Sequence, residues 1–348
     1  MNYEKLLISP DASVKKALQL LDETAEKILL VSHNKTLLGV LTDGDIRRWI
    51  LKNGNLNDPV RFVMNANPIV ITPEYIKDAK KLMNDKKVEA LPVVNAEFEI
   101  VDIVFRYEDI DQKREFQSIN NPVVIMAGGK GSRLYPITKV LPKPLIPIGE
   151  IPIVERIINN FTKYGCKDFY LTVNYKKNMI KAYFEEVNKD YTLTYVEEEI
   201  PLGTAGSLSY LREKIKTTFF MSNCDILVEG NYYDMLKYHR INKNKITIIT
   251  SVKNYVIPYG IVEVGATSSV NNILEKPEYN FLVNTGFYII EPETLDAIPN
   301  NTPYNITDLI SSCLANGYKV GTFPVSEKSW LDMGQFEEMR KMIGRLEK

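Results

Sequence analysis

Apolar residues recur along this chain at two spacings, one helical and one extended, and their succession divides it. In residues 1–110 a helical spacing comes first in each of two similar stretches. Val14, Ala17, Leu18 and Leu21 share one helix face after Ser9-Pro-Asp-Ala12; Ile76, Ala79 and Met83, with Leu82 alongside, do so after Thr72-Pro-Glu-Tyr75. Each helix pattern leads into two strand-like runs separated by polar turn residues, Ile28–Val31 with Leu37–Leu41 and Leu91–Val94 with Ile100–Phe105. A repeat of about sixty residues exceeds the solenoid range of roughly 20–50, so the pattern predicts two copies of a small α/β unit and not an array. Glu108 to Asn121 is polar and charged, and the Asn121-Pro122 step disfavours a continuing helix, which puts the domain boundary there. Strands and helices then alternate: Val123–Ala127, a helix over Ile153–Tyr164 stopped by Gly165, Phe169–Val173, a helix over Asn178–Glu186, Thr192–Val196 and Phe219–Ser222. That order predicts a parallel, doubly wound sheet. Gly260–Val264, Asn272–Glu275 and Phe287–Ile290 are short strands at hairpin-like spacing, a mixed continuation of the sheet into a lobe over the ligand crevice. Helices over Asn305–Ala315 and Gln335–Leu346 close the chain.

Composition adds limits. With 348 residues, 45% hydrophobic, the chain can bury a sizeable core in about two domains. A net charge of −1 gives no electrostatic reason to expect nucleic acid or an anionic membrane as partner, so cations for phosphate chemistry must be placed locally. Cys166, Cys224 and Cys313 lack metal-ligand spacing and suit free thiols in a reducing compartment. No apolar run approaches the roughly 18 residues of a membrane helix, and the expectation is a cytoplasmic protein.

The duplicated region, taken as residues 1–115, resembles a pair of CBS domains. Its best local match is Gly39-Val-Leu-Thr-Asp-Gly-Asp-Ile46. The resemblance implies that Thr42 and Asp45 bond the ribose of an adenine nucleotide, AMP or ATP, with Arg47 and Arg48 placed for phosphate. A module used only for packing or dimerisation fits the same residues. Arg106 stands where the second copy ordinarily has Ser or Thr, with Asp109 kept, and this departure argues against a second nucleotide site.

The chemistry is concentrated in the second region. The β-branched run from Val123 ends abruptly in Gly128, Gly129, Lys130, Gly131, Ser132 and Arg133. Glycines let main-chain N–H groups approach anionic oxygens and Arg133 adds a fork of donors, so the loop suits a nucleotide. It lacks the Ser or Thr after lysine of a Walker loop and the third glycine of the dinucleotide fingerprint. Lys143 is held between Pro142 and Pro144, where an ammonium waits beside a polyphosphate at low entropic cost; a lone loop lysine is otherwise solvated. Gly203 and Thr204 lie in a small-residue loop that lets the backbone approach a base or ribose, or that simply starts a helix. Asp225 ends a strand, and Asp332 lies in a distant tight turn. Two hard oxygen ligands from separate segments are what a substrate-bound Mg²⁺ needs, although an aspartate in either position also serves as a cap or turn former. Glu275 can accept from sugar hydroxyls while Lys276 holds a phosphate monoester, and Asn284, Thr285 and Gly286 offer neutral groups nearby.

Taken together and in this order, Gly128–Leu134, Pro142-Lys-Pro144, Leu202–Gly206, Asn223-Cys-Asp225, Glu275-Lys-Pro277, Asn284-Thr-Gly286 and Trp330–Gly334 resemble the sugar-1-phosphate nucleotidylyltransferases, over residues 121–348. The resemblance implies a Rossmann-like mixed-sheet α/β domain in which Arg133 and Lys143 engage a triphosphate, Gly203 the nucleoside, Asp225 and Asp332 a magnesium ion, and Lys276 the sugar phosphate. Glu275, Asn284 and Gly286 line the sugar pocket. Cys224 stands where the family often has Gly or Ala. A phosphate monoester is already nucleophilic near neutral pH, so no general base is required and His33 and His239 are left to structure. The fusion resembles a bacterial subgroup related to mannose-1-phosphate guanylyltransferases and associated with nonulosonic acids such as legionaminic acid, which implies GTP and glucosamine-1-phosphate. Mannose-1-phosphate with GTP, or glucose-1-phosphate with a thymidylyl or uridylyl donor, are the alternatives. The glutamates Glu197–Glu199 suit the guanine N1 and N2 donors or a solvated, capping role equally. Two other classes compete: a non-catalytic nucleotide sensor, and a glycosyltransferase, whose second aspartate two residues from the first is missing around Asp225. A homodimer is the default assembly.

Overall fold

The computed structural model describes residues 3–24, 26–86, 88–105, 117–265 and 268–346. These divide into two compact units, split at residues 115 and 116. Arg106, Asp109 and the start of the polar linker lie outside the described residues.

The first unit contains β1 (Leu7–Ile8), α1 (Val14–Thr24), β2 (Ile28–His33), β3 (Thr36–Thr42), α2 (Asp43–Leu51), α3 (Ala79–Lys86), β4 (Ala90–Val94) and β5 (Ile100–Phe105). β1, β2 and β3 form one sheet and β4 pairs antiparallel with β5. Leu30, Val40, Val94, Ile100 and Phe105 from both repeats share one core. The second repeat opens differently from its pattern: Pro73–Asp78 is a 3₁₀ turn with Ile76 exposed at 39%, and only Ala79 and Met83 turn inward. Proline at the first turn removes a backbone donor, and the tighter winding rotates Ile76 off the buried face.

Thr42 and Asp45 form a capping box on α2. The Thr42 hydroxyl donates to the Asp45 carboxylate at 2.5 Å and accepts from the Asp45 N–H at 3.2 Å, while the Thr42 N–H donates to that carboxylate at 2.9 Å. Arg48 pairs with Asp45 and Arg47 with Asp43.

The second unit runs β6 (Val123–Met126), α4 (Ile137–Val140), β7 (Pro147–Ile148), β8 (Ile151–Pro152), α5 (Ile153–Thr162), β9 (Asp168–Val173), α6 (Lys177–Glu186), β10 (Thr192–Glu197), β11 (Phe219–Asn223), β12 (Ile226–Val228), α7 (Tyr232–Ile241), β13 (Ile246–Val256), β14 (Ile261–Val264), β15 (Val270–Leu274), β16 (Glu278–Ile290), α8 (Ile306–Ala315), β17 (Val320–Val325), β18 (Trp330–Asp332) and α9 (Phe336–Leu346). Its main sheet has seven strands in the order β10-β9-β6-β11-β16-β13-β17. The first four are parallel, and β16 enters antiparallel between β11 and β13. Both faces are covered, which explains the unbroken apolar runs. Val123, Ile125, Phe220 and Phe287 face one core with α5 residues Ile157 and Phe161, whereas Val124, Met221, Tyr288 and Ile290 face the other with α8 residues Ile306 and Leu309. Phe287–Ile290 proves to be the end of a thirteen-residue strand, and β14 with β15 forms a separate two-stranded ribbon instead of extending the sheet.

The chain winds outward from β6 through β9 to β10, then returns to β11 on the other side of β6. This reversal opens a crevice at the carboxyl ends of β6 and β11, where open α/β sheets bind ligands.

Replacing Asp45 by Ala should remove the capping box and its ion pair and lower the unfolding free energy of the first unit by about 1 kcal/mol, measured by urea denaturation. A difference within error would show that α2 is held by packing alone.

Candidate active site

The loop after β6 and the loop after β11 flank this crevice. Gly131 has φ +64°, and a Cβ there would stand 3.0 Å from both Lys143 Cβ and Thr138 Cγ2, so the loop turns where only glycine fits. The Thr138 hydroxyl donates to the Gly131 carbonyl at 2.8 Å and fixes the turn. Ser132 and Arg133 start a single 3₁₀ turn, and Lys130, Ser132 and Arg133 point into solvent. Gly129 has open space where a side chain would be.

Lys143, at the head of the 3₁₀ turn Lys143–Leu145, donates from its ammonium to Asp225. The two side chains are only 14% and 19% exposed. β12 pairs antiparallel with β18, which sets Ile226 opposite Asp332, and the Met333 N–H donates to the Asp225 carbonyl at 2.8 Å. Two aspartates more than a hundred positions apart in sequence are thereby fixed side by side. Burial first, and then the neighbouring Asp225 charge, push the Asp332 carboxyl above its ordinary pKa; the Gly334 N–H, bonded to it at 2.7 Å, and Lys143 oppose that rise.

No cluster of three or more His, Cys, Asp or Glu residues suited to a metal occurs among the described residues. Two converging carboxylates with a cation already bonded to one of them still fit Mg²⁺, which is commonly held by one or two carboxylates with substrate phosphates and water completing the octahedron.

Gly286, at φ +84°, lies against Asn223: a Cβ would stand 2.4 Å from the Asn223 amide nitrogen. The Asn284 side chain accepts from the Gly286 N–H at 3.0 Å and donates to the Tyr288 hydroxyl at 2.6 Å. These two bonds lie within β16, which pairs with β11 and meets it at the crevice through the Gly286–Asn223 approach. Thr285 is 2% exposed and its hydroxyl donates to the Ile249 carbonyl at 2.6 Å, so this residue holds the strand bulge and does not line a pocket. Gly203 and Thr204 are also engaged within the protein. A Cβ on Gly203 would meet the Tyr304 carbonyl at 2.8 Å, and the Thr204 hydroxyl accepts from the Ile306 N–H at 2.9 Å, at the start of α8. Glu275 and Lys276 occupy the corner between β15 and β16, with ammonium and carboxylate 4.0 Å apart and Lys276 66% exposed. No contact joins Lys276 to Lys143, Asp225 or Asp332 among the described residues.

Of the three adjacent glutamates, Glu197 is exposed and paired with Lys177 and Lys181, which hold its carboxyl at about 2. Glu198 alone is buried. Its carboxylate lies against Gly128, where a Cβ would stand 3.0 Å from it, and burial pushes its pKa up. Sequence pattern could not choose among three like letters, because their difference lies in where β10 ends. Gly260, preceded by the exposed Tyr259, sits against Glu275, a contact that the Pro258-Tyr259-Gly260 turn signal does not reveal. His239 is buried between Thr247 at 2.8 Å and Glu291 at 3.0 Å, in a structural setting.

The nucleotidyl transferase family model matches residues 122–348, and the CBS-domain model matches residues 1–52 and 60–107. The chain belongs to the nucleotidyl transferase family. Its N-terminal third carries CBS domains. Among curated relatives, mannose-1-phosphate guanyltransferase of Pichia angusta is 32% identical over 223 residues, 61% of this chain and 60% of that protein. The bifunctional protein GlmU of Methanococcus maripaludis is 33% identical over 203 residues, 56% of this chain and 47% of that one. The chain therefore matches 60% of the length of the first of these relatives and less than half of the second. The crystal structure of HddC from Yersinia pseudotuberculosis, 22% identical, shares the fold with a TM-score of 0.52 over 65% of this chain and 99% of that one. No described helix is long and apolar enough to cross a membrane.

The raised Glu198 pKa has a testable sign. A carboxyl whose folded pKa lies above its unfolded value favours folding only while protonated, and that contribution is lost as pH rises through the folded pKa. Glu198→Gln should therefore match wild type near pH 4 and become relatively more stable as pH rises above 4.5, measured by thermal melting across pH. A constant offset at every pH would contradict the assignment.

Proposed function

We propose that this protein transfers a nucleotidyl group from a nucleoside triphosphate to a sugar-1-phosphate, releasing pyrophosphate, with GTP as donor and glucosamine-1-phosphate as acceptor. The observation that carries this reading is the convergence of Asp225, Asp332 and Lys143 beside the glycine loop at the sheet's crevice. An oxygen of the sugar phosphate attacks the α-phosphorus, the bond from that phosphorus to the α,β-bridging oxygen breaks in line, and pyrophosphate leaves with the electron pair; no proton need be removed from the nucleophile. Lys143 and Arg133 orient and neutralise the triphosphate, and Asp225 and Asp332 hold Mg²⁺. When bound, that ion supplies charge stabilisation and alignment. Lys276 receives the sugar phosphate, which requires the β13–β16 lobe to bend toward Lys143.

Base choice rests on Glu198. An ionised carboxylate accepts from both N1–H and N2–H of guanine, whereas uracil and thymine offer one N–H flanked by carbonyl oxygens that a carboxylate repels. Relatives named mannose-1-phosphate guanyltransferase support guanine and keep mannose-1-phosphate as the second acceptor. In the same reading the product feeds legionaminic acid or surface glycan synthesis in the cytoplasm, the chain is a homodimer, and AMP or ATP binds the CBS unit through Thr42, Asp45 and Arg47.

Purified full-length protein with Mg²⁺, four nucleoside triphosphates and glucosamine-, N-acetylglucosamine-, mannose- and glucose-1-phosphate should release pyrophosphate fastest with GTP. Silence across the whole panel would overturn the enzymatic reading. Asp225→Asn should lower the rate by roughly 10²–10³. Glu198→Gln should shift preference from GTP toward UTP or dTTP by roughly 10–100-fold, read from kcat/KM ratios.

A further inference from the structure

The cations of the proposed phosphate site differ in one respect. Lys130 and Arg133 are exposed and Lys276 meets Glu275 only loosely, whereas Lys143 is largely buried and bonded to Asp225. An ammonium and a divalent ion compete for the same carboxylate lone pairs. Two aspartates fixed side by side by the β12–β18 pairing need a compensating positive charge whether or not substrate is present.

We propose that Lys143 is a resident counter-ion that closes the Asp225–Asp332 pair to free metal, so that a divalent cation enters only when a polyphosphate draws the ammonium away. This rests on the reading of the two aspartates as metal-holding groups and adds the order in which charges exchange. The route is short. The Lys143 stem lies against the phosphate loop, whose Gly131 has room for no side chain because Lys143 Cβ and Thr138 fill the space. The prolines at positions 142 and 144 fix the backbone, leaving the four-carbon stem to swing its charge between carboxylate and anion. Each swing keeps a cation on the pair: the ammonium leaves as a divalent cation arrives with the phosphates. Metal and nucleotide are then coupled by linkage, each strengthening the other, with Lys143 as the element both displace.

The test uses full-length protein and Mn²⁺ alone, followed by its electron paramagnetic resonance signal with no nucleotide present. Wild type should bind Mn²⁺ weakly, and Lys143→Met about tenfold or more tightly, because the competitor is gone. Adding Asp225→Asn to Lys143→Met should abolish the gain. Mn²⁺ should also raise the melting temperature of Lys143→Met more than that of wild type. Lys143→Gln, which keeps a polar side chain, serves if the Met variant aggregates; if neither folds in metal-free buffer, Mn²⁺ should restore folding by replacing the lost charge. Equal or weaker Mn²⁺ binding in the variants, or failure of Mn²⁺ to rescue them, would overturn the proposal. Pyrophosphate release plays no part in this readout, so a wild type that forms no nucleotide sugar but shows the competition would sink the catalytic reading alone.

Discussion

Two like charges held within a strand pairing set the terms for the second unit. Asp225 and Asp332 are brought together by backbone geometry, through β12 against β18 and the Met333 N–H bonded to the Asp225 carbonyl, and not by any attraction between them. Their repulsion and partial burial act against folding, and the Lys143 ammonium offsets them. The surrounding layers supply the rigidity that makes this arrangement tolerable. Phe161 packs edge to face on Phe220 and Phe287, and Tyr232 packs tilted on Phe161 and Phe287, with centroids 4.8–5.6 Å apart between α5, α7 and the strands that lead to the crevice.

The same logic explains why glycine recurs around the crevice. Gly128 admits the Glu198 carboxylate, Gly131 admits the Lys143 stem, and Gly286 admits the Asn223 amide. In each case the missing Cβ gives space to a polar or charged side chain from another element. The crevice is therefore defined as much by what its glycines omit as by the charges it gathers.

Much of this was legible in the chain. Strands buried on both faces read as continuous apolar runs, so β6, β9 and β11 announced themselves, and the carboxyl-end positions of Gly128–Arg133 and Asp225 followed from the alternation of strands and helices. Contacts between distant segments were not legible. Gly203 and Thr204 read either as a nucleotide loop or as a helix start, and the Tyr304 carbonyl and Ile306 N–H that engage them lie about a hundred residues on. Thr285 read as a pocket residue because its hydroxyl's bond to Ile249 depends on a bulge in β16 against β13, a strand that was not anticipated at all. Thr42 and Asp45 read as ribose ligands, yet the pair also satisfies the rule for a capping box, and local spacing alone serves both readings.

That double reading sets a constraint on any ligand of the CBS unit. Asp45 directs one carboxylate oxygen to Arg48 and the other to the Thr42 hydroxyl and N–H. A ribose hydroxyl approaching Asp45 must share these lone pairs or displace a cap that orders the first turn of α2. Binding there would be coupled to the stability of a helix end, which is the physical basis on which a nucleotide could change the unit's conformational equilibrium instead of merely occupying its surface. The second unit has a parallel arrangement at Lys143, whose internal bond to Asp225 stands where the proposed metal would bind. In both units the protein's own side chains already occupy the relevant lone pairs, so a ligand of the proposed kind would act by exchange.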